Sequence, residues 1–192
     1  MEGSRKGIST AVVALAMIAS GTAAAAQAPS PYASLEPRRV QALSEERENG
    51  LLAGAGLGYA MAAELNGHAG PKHVLELAEA LELTPEQRVG VEASFARMKA
   101  AAVALGAEIV AAEEELDRRF SHRHLDEATL AGFTARIAEL EGRLRFVHLR
   151  AHLETDALLS ARQRGRYAEL RGYADRGSGD ASHEGHAGHP SG

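Results

Sequence analysis

Histidine is the residue type in this sequence with the clearest capacity for site chemistry, because imidazole binds transition metals. The chain has nine histidines in 192 residues and no cysteine. His148 and His152 are four residues apart, and Asp156 follows after four more. On a helix this spacing directs two imidazoles to one side, at a separation that suits one shared tetrahedral or octahedral ion. The pattern predicts a site for zinc, copper or nickel; the alternative is a solvated helix face.

A second group of histidines lies in the C-terminal segment 174–192, which is rich in Gly, Ser and Asp and has no hydrophobic periodicity. We predict that this segment is disordered. His183, His186 and His189 would then bind metal weakly, because ordering a flexible chain costs entropy. His122 and His124 lie in a predicted turn and are expected to face solvent.

No pattern in the sequence supports catalysis. There is no cysteine nucleophile and no nucleophilic serine in a strand–turn–helix context. The acidic run at residues 113–115 is typical of a solvated helix face. We therefore predict that the chain is not an enzyme and that it requires no cofactor.

A long heptad pattern supplies the scaffold for the histidine pair. Apolar and small residues step by three and four along two segments, which predicts two coiled-coil seams. The first seam is Val91, Phe95, Met98, Ala102, Leu105, Ile109, Ala112 and Leu116, and the second is Leu130, Phe133, Ile137, Leu140, Leu144, Val147 and Ala151. The turn between them, residues 121–126, is polar and ends at Asp126, a candidate N-cap of the second helix. Because this turn is short, the two helices must pack antiparallel. The fold class is predicted to be all-α, a long antiparallel helical hairpin of about 50 Å with additional shorter helices.

The predicted pairing brings further ligands towards the imidazoles. With the turn centred near Arg123, Met98 lies opposite His148 and Ser94 lies opposite His152. Met98 and Glu92 are therefore candidate ligands. His73 joins them if the short helix that begins at Pro71 folds back onto this region.

Two similar motifs lie at the ends of the hairpin. The segment Leu83-Thr84-Pro85-Glu86-Gln87 can form a capping box, with proline at the first helical position. The segment Leu159-Ser160-Ala161-Arg162-Gln163 repeats this design where the second long helix should end. The motif residues are Leu83, Thr84, Gln87, Leu159, Ser160 and Gln163.

These paired motifs resemble those of the LTxxQ family of periplasmic proteins, over roughly residues 75–173. That family contains the Spy and CpxP chaperone-like proteins, the zinc-resistance-associated protein and periplasmic heavy-metal sensors. Ser160 replaces the threonine of the motif and preserves its capping chemistry. The resemblance implies a homodimer and metal binding through helix-borne histidines with help from carboxylates and methionine.

The resemblance implies two functions. The first is that of a Spy/CpxP-like stress protein, with ATP-independent chaperone-type binding of unfolded or metal-stressed envelope proteins and modulation by metal. The alternative is a heavy-metal (Zn, Cu or Ni) binding sensor or resistance protein that acts with a membrane-bound partner. A helical scaffold with neither client nor metal is a third possibility.

The remaining segments define the predicted domain organisation. Residues 1–26 read as a signal peptide, with Arg5 and Lys6 before an apolar stretch and small residues before a cleavage point. Export to the periplasm follows, and an uncleaved N-terminal anchor is the alternative. Residues 27–37 form an extended linker, residues 38–173 the helical domain, and residues 174–192 the His-rich tail.

Within the helical domain, we predict a first helix over residues 38–65, a short helix over residues 73–81 and a last helix over residues 161–173. The glycine-rich stretch 50–62 follows no strand, which argues against a phosphate-binding loop. It is also too short to span a bilayer. It instead suggests a small-residue helix face that packs closely against the hairpin or a second subunit.

The net charge of the chain argues against some classes of binding partner. The full chain carries −5, and removal of Glu2, Arg5 and Lys6 with the signal peptide takes away a net +1 and leaves −6. An acidic chain without a basic stripe is a poor match for nucleic acid or for anionic lipid. The expected partners are therefore proteins and metal ions, and the cleaved chain would not be an integral membrane protein.

Overall fold

A computed structural model describes residues 30–35 and 37–173, and in these residues the fold is all-α with no strand, as predicted. Residues 30–34 belong to one unit and residues 35–173 to another, which contains the α-helices. The helices are α1 (Glu45–Leu52), α2 (Met61–Glu64), α3 (Pro71–Glu76), α4 (Pro85–Ser121), α5 (Glu127–Leu158) and α6 (Ala161–Leu170). The predicted signal peptide and the His-rich tail lie outside the described residues.

The two long helices begin where the sequence predicts. Thr84 accepts a hydrogen bond from the backbone N–H of Gln87, and the capping box of α4 is complete with Pro85 in its first turn. Asp126 caps α5 by accepting from the N–H of Thr129 at 2.7 Å. In the turn before it, Arg123 has a φ of +54°, the left-handed conformation that ends a helix abruptly. The predicted starts of the two long helices are therefore confirmed.

Contacts between α4 and α5 pair early residues of one helix with late residues of the other. Arg136 donates to Glu108 at 2.5 Å, close to the turn. Further away, Ser94 donates to Glu154 at 2.8 Å. Burial along the predicted seams is complete in their middle, as at Ile109 and Leu140, and only partial near the turn. The difference arises because other helices cover the middle of the pair, whereas two helices alone leave part of a seam in water.

The prediction of one helix over residues 38–65 is wrong. The structure has α1 and the single-turn α2, separated by a loop in which Gly54, Leu57 and Gly58 have φ values of +59°, +43° and +80°. An α-helix cannot contain left-handed residues, and glycine makes them inexpensive. Gly54 also packs against α4, where a methyl group would lie 2.9 Å from a side-chain carbon of Val103. The segment between α1 and α2 is therefore a loop that packs closely on α4 and not part of a continuous helix.

The shorter predicted helices are present but end earlier. The helix predicted over residues 73–81 is α3, which begins at Pro71 and gives way to turns after Glu76, with Glu82 at a φ of +51°. The last helix stops at Leu170 instead of residue 173 because Gly172 takes a φ of +74°. In the predicted linker, a 3-10 turn at Ala33–Leu35 replaces extended backbone.

Two apolar clusters form the core. In one, residues before and within α1 pack against the middle of α4 and α5: Val40, Leu43, Leu51, Ala102, Leu105, Ile109, Val110, Leu140 and Leu144. In the other, residues around α3 pack against the start of α4 and against α6: Ala69, Val74, Leu81, Val91, Leu159 and Tyr167. The N-terminal segments thus form a layer on the two long helices.

The two motif glutamines bind each other. Gln87 donates from Nε2 to Oε1 of Gln163 at 2.9 Å, and Gln163 donates in return at 2.8 Å. Each Oε1 also accepts from the backbone N–H of its own capping residue, Thr84 or Ser160. The two capping boxes are therefore one hydrogen-bonded assembly that joins the start of α4 to the start of α6.

Gly106 marks the closest approach of α1 to α4. A methyl group at this position would lie 2.0 Å from the carbonyl oxygen of Leu51, and backbone cannot move aside as a flexible side chain would. We predict that Gly106→Ala lowers the free energy of unfolding by about 1–3 kcal/mol, although alanine favours helix. Gly142→Ala, in open space on α5, should raise it by about 0.5–1 kcal/mol. Urea titration followed by circular dichroism measures both, and equal stability of the two variants would contradict this packing.

The paired glutamines predict energetic coupling between two distant segments. Gln87→Ala and Gln163→Ala should each cost about 1–3 kcal/mol because partners are left unsatisfied. Their double variant should lose about 0.5–1.5 kcal/mol less than the sum. The control combines Gln163→Ala with Asp126→Ala, which removes the cap at the other end of α5 and should be additive. Additivity of the glutamine pair itself would show that the two boxes act separately.

Candidate functional site

A cleft of about 630 Å³ lies between the N-terminal layer and the long helices. We call it the central cleft. Its lining is mostly apolar and contains three histidines. The lining residues are Gly54, Ala55, Gly56, Leu57, Gly58, Ala60, Met61, Glu64, Leu65, Gly70, Pro71, Lys72, His73, Phe95, Met98, Lys99, His148, His152 and Tyr173.

His148 is buried in the wall of this cleft, with 3% of its surface exposed. Its Nε2 atom is buried and has no hydrogen-bond partner among the described residues. Burial lowers the pKa of His148, and its electrostatic interactions with His152 and Lys99 lower it further. The ring is therefore neutral near pH 7, and a neutral imidazole is the form that binds metals.

Tyr59 holds the ring of His148 from the side. The two rings stack with their centroids 5.7 Å apart and their planes at 7°. The Tyr59 hydroxyl donates to Glu141, and Arg47 donates to that hydroxyl at 3.1 Å and to Glu141 at 2.7 Å. Burial and the Glu141 carboxylate raise the pKa of Tyr59 to about 12, so the hydroxyl keeps its proton. The loop after α1 thus fixes a histidine of α5.

His152 has its tautomer set by a backbone carbonyl. Nδ1 lies 2.9 Å from the carbonyl oxygen of His68, and because a carbonyl only accepts, Nδ1 must carry the hydrogen. The lone pair is then on Nε2, in the arrangement common to metal-binding histidines. The ring lies directly on Gly70, where a methyl group would be 2.7 Å from Nε2. Glycine at this position leaves room for the imidazole.

Glu64 connects the cleft to the C-terminal helix. Its carboxylate accepts from the hydroxyl of Tyr167 at 2.6 Å and from Nε of Arg171 at 3.3 Å. Nδ1 of His73 lies 3.5 Å from the same oxygen, Oε1, and Nδ1 of His152 lies 3.6 Å from the other oxygen, Oε2. Burial is the main cause that lowers the pKa of His73, followed by the charge of Arg171.

The structure brings together some of the predicted ligands and separates others. His148, His152, Met98 and His73 all line the central cleft. Asp156 lies beside His68 instead, with its carboxylate 3.6 Å from Nδ1 of that residue. Glu92 is exposed, and His122 and His124 are exposed as predicted. His183, His186 and His189 lie outside the described residues.

The spacing of the His, Asp and Glu side chains limits how the cleft could bind a metal ion. Across residues 30–35 and 37–173, no three His, Asp or Glu side chains are grouped closely enough to hold a metal ion as they stand. Three imidazoles and the thioether of Met98 line the same cavity. An ion bound here would therefore use the thioether or small shifts of the side chains.

Two residues of this site were not among those that the sequence predicted. Glu64 and Tyr59 fall in the segment that was predicted to be a continuous helix facing the hairpin through its small residues. The spacing of Glu64, His68 and His73 was a signal for a second ligand-bearing segment. For Tyr59 no such signal exists, because its role depends on the loop.

The fold and the cleft define a class, an all-helical protein with a histidine-bearing apolar cleft between a short N-terminal layer and two long helices. No protein-family model, no curated protein and no solved structure matches the chain. None of the helices in the described part of the chain has both the length and the hydrophobicity of a membrane span.

The burial of His148 predicts that acid destabilises the metal-free protein. Its pKa in the fold is below the 6.5 of an unperturbed histidine, so the unfolded chain binds the proton more tightly. Its contribution to stability is fully present above pH 6.5 and is lost as the pH falls below that value. His148→Phe keeps a ring against Tyr59 and cannot titrate, so it should lose less stability between pH 7.5 and 5.5.

The measurement is chemical unfolding at the two pH values, with His124→Phe in the exposed turn as the control. That control should lose as much stability between pH 7.5 and 5.5 as the parent protein loses. An equally large loss in His148→Phe would assign the acid sensitivity to other groups.

Proposed function

We propose that this chain is an exported, metal-binding stress protein of the LTxxQ type, and that its metal site is the central cleft. The proposal rests on the protonation and the hydrogen-bond partners of two imidazoles on one turn of α5. His148 is neutral with an unpartnered Nε2, and His152 has its hydrogen on Nδ1, which leaves Nε2 free to bind. Buried nitrogen atoms without partners are costly in an apolar protein and useful as ligands.

The donor set indicates which ions would bind best. Imidazole suits zinc, copper and nickel, whereas a thioether favours copper in its reduced state. Met98 is 9% exposed and lines the same cleft. Copper also binds most tightly among the divalent ions of this series. We therefore expect copper to have the highest affinity, with zinc and nickel following.

The proposed architecture is an antiparallel helical hairpin that forms a homodimer. The order of contacts between α4 and α5 supports the hairpin, since Arg97 and Ser94 meet Glu154 while Glu108 meets Arg136. The N-terminal sequence supports export to the periplasm. A sensor role would require a membrane-bound partner, and a resistance role would require only the metal.

Calorimetric titration with copper, zinc and nickel tests this function. The titrated protein is the full chain with the substitutions His183→Ala, His186→Ala and His189→Ala, so that the tail does not contribute to metal binding. We predict one copper ion per chain with a submicromolar dissociation constant. His148→Leu combined with His152→Leu should weaken binding by at least 100-fold.

The matched control is His122→Ala with His124→Ala, an exposed pair in the turn, which should bind as the parent does. Far-ultraviolet circular dichroism confirms that each variant is folded. Unchanged copper affinity in the folded His148/His152 variant would remove the metal site from the cleft.

A second candidate function is chaperone-type binding of unfolded envelope proteins. The observation that favours it is an apolar strip on α5, where Phe146 and Leu153 are 60% and 58% exposed and two helical turns apart. The guanidinium of Arg150 lies 5.6 Å from the ring centroid of Phe146. Exposed apolar residues in a row are typical of interaction surfaces.

Suppression of aggregation of a reduced, unfolded client protein tests this second candidate. Phe146→Ser with Leu153→Ser should reduce suppression at least threefold if the strip binds clients, because its apolar contact area is lost. Val89→Ser, an equally exposed change on α4, is the control. A parent protein that suppresses no aggregation would exclude this function.

A further inference from the structure

The central cleft is larger than a metal site requires. A transition metal lies about 2 Å from its nitrogen ligands and occupies little more than the space between them. The cleft has a volume of about 630 Å³, within the range of sites that bind small organic molecules. Most of this volume would remain unfilled with an ion in place.

The lining beyond the histidines is mostly apolar, and part of its apolar surface is in contact with water. Met61 and Leu65 are 58% and 40% exposed and both face the cleft. Leu57 and Phe95 extend the same surface. An apolar ligand that covers these side chains would release their hydration water, which is the main source of affinity in such sites.

The charged groups at the cleft already have partners. Lys72 pairs with Glu76 at 3.0 Å, and Lys99 donates to the carbonyl oxygen of Ala53. Glu64 pairs with Arg171. A ligand therefore needs no charge, and a charged group would have to compete with these pairs.

Two buried acceptor atoms at the cleft have no hydrogen-bond partner. They are Nε2 of His148, in a residue that is 97% buried, and Oε2 of Glu64. In the tautomer that carries its hydrogen on Nδ1, a neutral His148 accepts at Nε2, so a hydroxyl group satisfies it. The aromatic rings of His148 and Phe95 both line the cleft, and such a lining favours a planar aromatic ligand.

We propose that the central cleft binds a neutral aromatic alcohol, whose ring packs on the apolar lining and whose hydroxyl group donates to Nε2 of His148. Binding needs no metal. Copper on the same nitrogen atom would exclude the hydroxyl group, so the two ligands compete for His148.

The test compares two probes with the same naphthalene ring: 2-naphthol, which donates a hydrogen bond, and its methyl ether 2-methoxynaphthalene, which cannot. Each is titrated into the metal-free full chain in the presence of EDTA and followed by calorimetry. We expect 2-naphthol to bind once per chain and at least tenfold more tightly than its methyl ether. Because no metal is present, the result does not depend on whether the protein binds copper.

Two variants locate the site. His148→Leu should abolish the preference for 2-naphthol while both probes still bind. Met61→Glu adds a charge to an exposed cleft residue and should weaken both probes at least tenfold. Val89→Glu, an exposed residue of α4 that does not line the cleft, should leave both affinities unchanged.

The proposal is overturned if neither probe binds the parent protein or if the two bind equally. It is also overturned if His148→Leu, confirmed as folded by circular dichroism, retains the tenfold preference. An equal effect of Val89→Glu and Met61→Glu would show binding elsewhere on the surface.

Discussion

Two helices that pack only against each other leave part of their common apolar seam in water, and the structure depends on how that part is covered. Near the turn the described part of the chain covers the pair less completely, and seam residues such as Leu116 and Phe133 are only half-buried. In the middle, Leu51 and the residues before α1 cover the seam and bury Ile109 and Leu140. The covering layer can approach this closely because Gly106 and Gly54 have no side chain.

The same layer creates the site. The loop after α1 turns back through left-handed residues, leaves the surface of α4 and encloses a cleft with α3 and α5. Tyr59 on this loop stacks on His148, and the carbonyl of His68 orients His152. The Gln87–Gln163 pair and the Glu64–Tyr167 bond hold the C-terminal helix against the same end of the molecule. Stability and ligand chemistry therefore share one set of contacts.

The sequence predicted what is encoded locally. Heptad spacing and capping residues predicted the long helices and their starts at Thr84 and Asp126, since a cap is formed by residues three apart. Helical periodicity and a short turn predicted that Met98 lies near His148 and His152, with His73 joining them if its helix folds back, and all four residues line the central cleft. The sequence did not predict the break after Leu52, because small residues at every fourth position fit a helix face as well as a loop. It did not predict Glu64 or the burial of His148, since both depend on contacts between segments distant in the chain.

The metal site that we propose depends on the tautomer of His152, whose hydrogen the carbonyl oxygen of His68 places on Nδ1. Long-range proton–nitrogen NMR of the metal-free protein at pH 7 reports the tautomer of each histidine directly, with His152→Gln to assign the resonance. We expect that His152 carries its hydrogen on Nδ1 and that added copper shifts its Nε2 signal. A hydrogen on Nε2 of His152, with no change on addition of copper, would contradict it.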